Sequence, residues 1–268
     1  MDDKVLPHKV AVLINLDDRL PEEDKKIVKS VLKELIGKYE SLGGVPIPIC
    51  YSDEHGPCIY YPYRPYHHVE SQEYIKEHAC GKYSKYRKIN GVDAEPIIED
   101  IRRRELMFYD PHVHIFIVEP PAYDFLCHNM VLGAAFPIIP SSIFENYSKY
   151  EEGAIFRAPG VAVISVGSIK KHYGDDWPTG FYGAAAYYFG ILFGLPSYEN
   201  PHRKGAFYCS HEYCAMGGIS NKKRLDNILN NPNLYCEHDL LRLSKNLYWL
   251  FGGWKKSKES IQDILDLL

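Results

Sequence analysis

The sequence has no apolar run near the ~20 residues that a bilayer-crossing helix needs. Its first residues, Met1-Asp2-Asp3-Lys4, carry charge where a secretion signal would carry an apolar stretch. Both absences lead to the expectation of a cytoplasmic protein with no membrane partner. Excess charge of one sign is also missing. With 31 Lys and Arg against 35 Asp and Glu, the net charge is -4, so no general electrostatic pull on nucleic acid or anionic lipid is expected. No internal repeat, low-complexity tract or interdomain linker stands out. The seven cysteines are an odd number. Where thiols stay reduced, they argue for metal binding or buried thiols over a disulfide framework. What the chain does have is tyrosine, 22 in 268 residues, each a ring suited to half-burial with a wet hydroxyl. The length suffices for one sizeable core, or a core with a small appendage.

Periodicity gives a coarse order of elements. Residues 9–16 (KVAVLINL) form a short β-branched apolar run, read as a buried strand. Over 21–42, Ile27, Val28, Val31, Leu32, Leu35, Ile36 and Tyr39 recur at helical spacing; acidic residues open this helix and Gly43-Gly44 closes it. A strand at 45–50 would complete a strand-helix-strand opening of the kind that builds a parallel pair. Residues 50–86, rich in Tyr, Pro, His and Gly, read as an irregular insert. A helix at 94–107 and strands at 112–118, 130–139 and 161–166 follow, with a polar loop at 144–157. Residues 178–195 (PTGFYGAAAYYFGILFGL) are apolar nearly all round, which requires a central buried helix, and Thr179 stands where a cap would. Helices at 222–229, 237–251 and 257–268 close the chain. The fold class expected is α/β, with a mixed, mainly parallel sheet and flanking helices. A 1–195 subdomain would be followed by a 196–268 subdomain that carries a cysteine cluster.

That cluster is the sharpest chemical signal. Cys209 and Cys214 lie either side of Ser210-His211-Glu212-Tyr213, and Cys236-Glu237-His238-Asp239 opens a helix. Zinc favours four thiolate or imidazole donors in a tetrahedron, and short ligand pairs joined by a longer loop can supply them. On donor chemistry His238 is the preferred fourth ligand. Asp239 holds the spacing that would complete Cys-x-x-Cys, and His211 lies inside the first pair. The alternative is three buried free thiols.

This order of features resembles the archaemetzincins, metzincin-type zinc peptidases of family M54. Their signature is His-Glu-x-x-His-x-x-Gly-x-x-His-Cys, four residues, Cys-x-Met, and later Cys-x-x-Cys. Cys209, Cys214, Ala215-Met216 and Cys236 are similar to its second half, with Met216 at the family's Met-turn. Gly194-Leu195 resembles the Gly-Leu after the zinc-binding helix. Counting back, the first His position is Tyr187, the Glu position Tyr188 and the second His position Ile191. Tyr208 precedes Cys209 where the third His would stand, Ser197 occupies the other candidate position, and 196–207 read as an insertion. Isoleucine cannot ligate and tyrosine is no carboxylate base near neutral pH. The resemblance therefore implies a metzincin-like scaffold, one structural zinc in a stapled C-terminal helical subdomain, a Met-turn and no catalytic metal. It implies a pseudo-peptidase that binds a peptide or protein in the former substrate cleft. One alternative is an active metallopeptidase or other hydrolase using non-standard ligands such as His172, His202 or His211. The other is a structural or assembly protein joined through its tyrosine-rich loop or last helix.

Other groupings carry less. Cys50, His55, Cys58, His67, His68, His78 and Cys80 fall in one stretch that could hold a second metal, but with no recognised ligand spacing. The run Tyr60-Tyr61-Pro62-Tyr63-Arg64-Pro65-Tyr66 could grip a peptide or pack on its own domain. His112 and His114 share a strand face, while Asp124, Cys127 and His128 share a loop. Asp175-Asp176 read as an acidic helix start, and Lys170-Lys171 and Lys222-Lys223-Arg224 as solvated basic faces.

Overall fold

A computed structural model of the chain describes residues 12–51, 91–94, 97–98, 113–123, 130–136, 160–195, 209–218 and 221–251. Strand β1 (Val12–Leu16) leads into helix α1 (Glu22–Gly43) and strand β2 (Ile49–Tyr51). After β3 (Val92–Asp93) come β4 (Val113–Val118), β5 (Ala122–Tyr123), β6 (Met130–Val131), β7 (Gly133–Phe136) and β8 (Gly160–Ser165). Helix α2 (Val166–Tyr173) and a 3-10 turn (Gly174–Asp176) lead into α3 (Trp177–Leu192). A second 3-10 turn (Ala215–Gly217), α4 (Lys222–Asn230) and α5 (Glu237–Phe251) complete the described elements. None of the described helices is long and apolar enough to cross a membrane.

The main sheet has the order β2-β1-β4-β8-β7. Its first four strands are parallel, and β7 pairs antiparallel with β8. A small sheet, β3-β5-β6, lies beside it. Every residue of β1, β4 and β8 is buried, the pattern of central strands covered on both faces. The side-chain alternation of a strand divides the core accordingly. Val113, Ile115 and Ile117 of β4 join the large cluster against α1 and α3, whereas Phe116 and Val118 join a smaller one with Val92, Ile97 and Ala122.

Helix α1 buries Val28, Leu32, Leu35, Ile36 and Tyr39 on that large cluster, as its spacing predicts. It ends at Gly44, whose φ of 62° is a left-handed cap that glycine takes without a Cβ clash. Helix α3 is the spine of the molecule, with every residue from 180 to 195 buried. The large cluster runs on without a break into α4 and α5, through Leu225, Ile228, Leu243 and Leu247. Asn246 Nδ2 donates to the Phe193 carbonyl at 2.7 Å, meeting one acceptor that the end of α3 leaves open.

Several elements differ from their sequence readings. The strand read at 45–50 starts only at Ile49, because Pro46 and Pro48 have no N–H to give a ladder. The run at 130–139 is divided by a bend at Leu132, placing β6 and β7 in different sheets. Val166 opens α2, a helix the sequence reading missed. That helix is short, and its signal is a single cap, the Ser165 hydroxyl accepting from Ser168 N at 2.9 Å. Thr179 lies inside α3 and caps nothing; Pro178 sits in the first turn, where its missing N–H is harmless. Of the helix read at 94–107, Ala94, Ile97 and Ile98 are helical and buried, and the remainder lies outside the described residues. So do the bulk of the insert read at 50–86, the loop at 144–157 and the helix at 257–268.

Candidate metal centre

The chain reaches this centre from two directions. Residues 209–214 form a turn, closed by Cys214 N donating to His211 O at 3.1 Å and Cys209 N donating to Met216 O at 3.4 Å. Arg224 of α4 braces it from outside, its Nη2 donating to the carbonyls of Cys209 and His211 at 3.0 and 3.3 Å. On the second approach Leu234 takes a φ of 63°, a left-handed conformation uncommon for a residue with a Cβ. Its carbonyl accepts from Ala215 N at 2.7 Å, so the strained residue ties the two segments together. The reversal delivers Tyr235 and Cys236 inward just before α5 begins at Glu237.

Four donor atoms converge there. Those of Cys209, Cys214, Cys236 and Asp239 all lie within 4.8 Å of one another, the one such group of three or more among the described residues. Cys209 Sγ is 3.8 Å from Cys236 Sγ, and Asp239 Oδ2 accepts from Cys214 Sγ at 3.2 Å and from Cys236 Sγ at 3.4 Å. A tetrahedral zinc with bonds of about 2.3 Å to sulfur and about 2.0 Å to oxygen would place sulfurs ~3.8 Å apart, and sulfur ~3.5 Å from oxygen. The spacing already present suits that geometry.

Electrostatics favour a cation in the same place. Asp239 is only 1% exposed. His238 Nδ1, on a side chain 75% exposed, lies 3.5 Å from its Oδ1. Burial pushes the Cys214 thiol far above its ordinary range, and the neighbouring Asp239 adds to the shift. Cys236 is pushed up to about 11, again chiefly by burial, with the Asp239 charge acting in the same direction. A buried carboxylate among thiols is costly alone, and a divalent cation reverses that cost by taking up the negative charge. The cluster could hold one metal ion, and its donor set fits zinc.

The sequence reading preferred His238 as fourth donor; in the structure Asp239 is the one that joins the cluster. The reason is helical geometry. Asp239 follows Cys236 by three residues at the start of α5 and returns to the same face, whereas His238, one residue short of a turn, is carried toward solvent. The i, i+3 spacing was the available signal. His211 is not part of the group, but its Nδ1 lies 3.2 Å from Cys209 Sγ, against the outer side of the centre.

The positions aligned with the peptidase motif lie elsewhere on α3. Tyr187, Tyr188 and Ile191 are buried at 6%, 8% and 2% exposure, and the two rings meet edge to face at 5.2 Å. Gly133 of β7 packs so closely that a methyl group there would come within 3.0 Å of the Tyr188 ring. Met216, fully buried, lies against the next turn: a methyl on Gly190 would come within 2.5 Å of its Sδ. Tyr208, Ser197 and His202 lie outside the described residues, as do His112, Asp124, Cys127, His128, the side chain of Cys50 and the other metal candidates of 50–86. His114 is buried in β4. His172, exposed at the end of α2, meets the Tyr173 ring edge to face at 4.6 Å.

The basic clusters lie at the surface, as read, with Lys171, Lys222 and Lys223 exposed. Lys170 pairs with Asp24 at 2.5 Å and lies over the Trp177 ring, and Lys222 pairs with Asp176. A feature absent from the sequence reading lies beside the centre. Tyr235 Oη donates to the mid-helix carbonyl of Ala186 at 2.6 Å and meets Tyr39 Oη at 2.5 Å. These two buried hydroxyls tie the residue before Cys236 to α3 and α1.

No protein-family model matches the chain, and no curated protein does. The chain is similar to several solved structures, two of which are the following. One is archaemetzincin from Methanopyrus kandleri, at 16% identity over 92% of this chain and 99% of that one, with a TM-score of 0.46. The other is a zinc-dependent peptidase from Methanocorpusculum labreanum, at 16% identity over 87% of this chain and 100% of that one, with a TM-score of 0.44.

Proposed function

We propose that this protein is a catalytically inactive relative of the archaemetzincin-type peptidases, held together by one structural zinc, that binds a peptide or protein without cleaving it. The observation that carries this reading is a contrast between two places. The donor atoms of Cys209, Cys214, Cys236 and Asp239 lie within 4.8 Å of one another, while Tyr187, Tyr188 and Ile191 sit packed in the core. Hydrolysis by zinc needs three protein ligands with an open coordination position and a base to activate water. Isoleucine supplies no ligand, and a buried tyrosine is not a carboxylate base. Zinc at the cysteine cluster would have four protein ligands and no open position, which is the form of a structural site.

A ligand would lie along β7, the last strand of the main sheet among the described residues, which packs beside Tyr188. An extended peptide can add to such an edge through main-chain hydrogen bonds. The test combines metal analysis with two assays. The purified chain should hold one zinc after exhaustive dialysis, leave a mixed peptide library uncleaved, and enrich a subset of that library on capture. Two zinc ions per chain, or zinc-dependent cleavage, would overturn the reading.

A further inference from the structure

We propose that Cys209 is an oxidation site within the metal centre, and that hydroperoxides joining it to Cys236 eject the metal. This rests on the zinc reading above and goes beyond it by assigning different roles to the three sulfurs. Cys214 is fully buried and Cys236 is 4% exposed, whereas Cys209 is only half-buried. Cys214 is held at the rear by Asp239 Oδ2 at 3.2 Å. Cys209 is partly buried against the core and lies beside the exposed His211, whose Nδ1 is 3.2 Å from its sulfur. An oxidant arriving from solvent therefore meets Cys209 first, since susceptibility follows thiolate character and exposure.

The second sulfur is also set by distance. Cys236 Sγ lies 3.8 Å from Cys209 Sγ, so a disulfide of about 2.05 Å needs an approach of under ~2 Å. The Cys209 thiolate attacks one oxygen of hydrogen peroxide. The O–O bond breaks, hydroxide leaves, and the sulfur becomes a sulfenic acid. The Cys236 thiolate then attacks that sulfur, the S–S bond forms, the S–O bond breaks, and a second hydroxide leaves. Two protons from solvent turn both hydroxides into water. The two thiolates lose two electrons and the peroxide gains them. Cys214 and Asp239 then remain as the only donors, half of what a zinc site needs. The clamp between the 209–214 turn and α5 opens, and a reductant with zinc closes it again.

The test uses the full zinc-loaded chain, so it does not depend on a variant folding. Hydrogen peroxide is titrated in, released zinc is followed with a chromogenic chelator, and disulfides are mapped by differential alkylation and peptide mass spectrometry. We expect one zinc released for each Cys209–Cys236 disulfide, reversal by dithiothreitol with added zinc, and alkylation of Cys209 ahead of Cys214 and Cys236 in untreated protein. Zinc retained while other cysteines oxidise, or release accompanied by a Cys214–Cys236 bond, would overturn this inference and leave the structural zinc intact. A chain purified without zinc would overturn both.

Discussion

The seat of Met216 against α3 can be weighed with two alanines. Replacing Gly190 by alanine should gain about 1 kcal/mol of helix propensity, but the new methyl would lie 2.5 Å from Met216 Sδ, 3.3 Å from Leu195 Cδ1 and 3.4 Å from a Tyr235 ring carbon. Carbon and sulfur in contact want about 3.5–4.0 Å, so Met216 must move by roughly 1 Å or more. Met216 is flexible in principle, but it is fully buried and Leu195 and Tyr235 close the space around it. Overpacking of this kind costs ~1–3 kcal/mol. Gly37, within α1, has nothing within 4 Å of an added Cβ, so Gly37→Ala gains the propensity and meets no clash. The difference between the variants isolates the steric cost: Gly37→Ala should be more stable than Gly190→Ala by about 1–3 kcal/mol. Urea denaturation at matched zinc content reads this directly, provided the m-values agree. Adding Met216→Ala should shrink the penalty at Gly190, since neighbours couple. Equal stabilisation by both alanines would refute the placement of Met216 under α3.

Three further outcomes follow from the metal centre and its surroundings. Stripping zinc with a chelator should lower the thermal midpoint, and Asp239→Asn should weaken zinc retention in competition with a chelator, while Asp239→Cys should strengthen it because thiolate is the softer donor; identical retention in both variants would exclude Asp239 as a ligand. In the metal-free protein Cys236 is raised from 9.0 to about 11 and Cys214 is raised as well, so the folded state holds protons that the unfolded state has released. That stabilisation is complete below the unfolded thiol value of 9.0, and the Cys236 part is lost as pH rises through about 11. Zinc-loaded protein should instead lose stability as pH falls, because protons compete for the thiolates; denaturation curves across both ranges check the two signs. Tyr235→Phe should cost ~1–2 kcal/mol by removing the donor to Ala186 O, and a double-mutant cycle with Tyr39→Phe should show coupling; additive losses would contradict the 2.5 Å pairing of their hydroxyls.

Some of this was fixed by residues acting on their neighbours in sequence. The 3.6-residue recurrence from Ile27 to Tyr39 and the glycines after it specify α1 by backbone geometry alone. The run before Leu195 is apolar nearly all round, which calls for a buried helix, and α3 is one. The cysteine spacing announced a metal centre because thiols in short, paired spacings are what zinc takes. Other features depended on parts of the chain far apart in sequence. Residues 130–139 looked like one strand because their composition is uniformly apolar, and only the pairing of Gly133–Phe136 with β8 decided where the chain must bend. The choice between His238 and Asp239 turned on where α5 starts relative to Cys236, and that start is set by the Leu234 reversal. The link from Tyr235 to Ala186 and Tyr39 spans 49 and 196 residues, a separation at which no local pattern carries information. Sequence by itself indicated the long helices α1 and α3 and the residues that can ligate. Only the tertiary structure settled which ligands meet, because convergence is a property of how distant segments pack around a shared core.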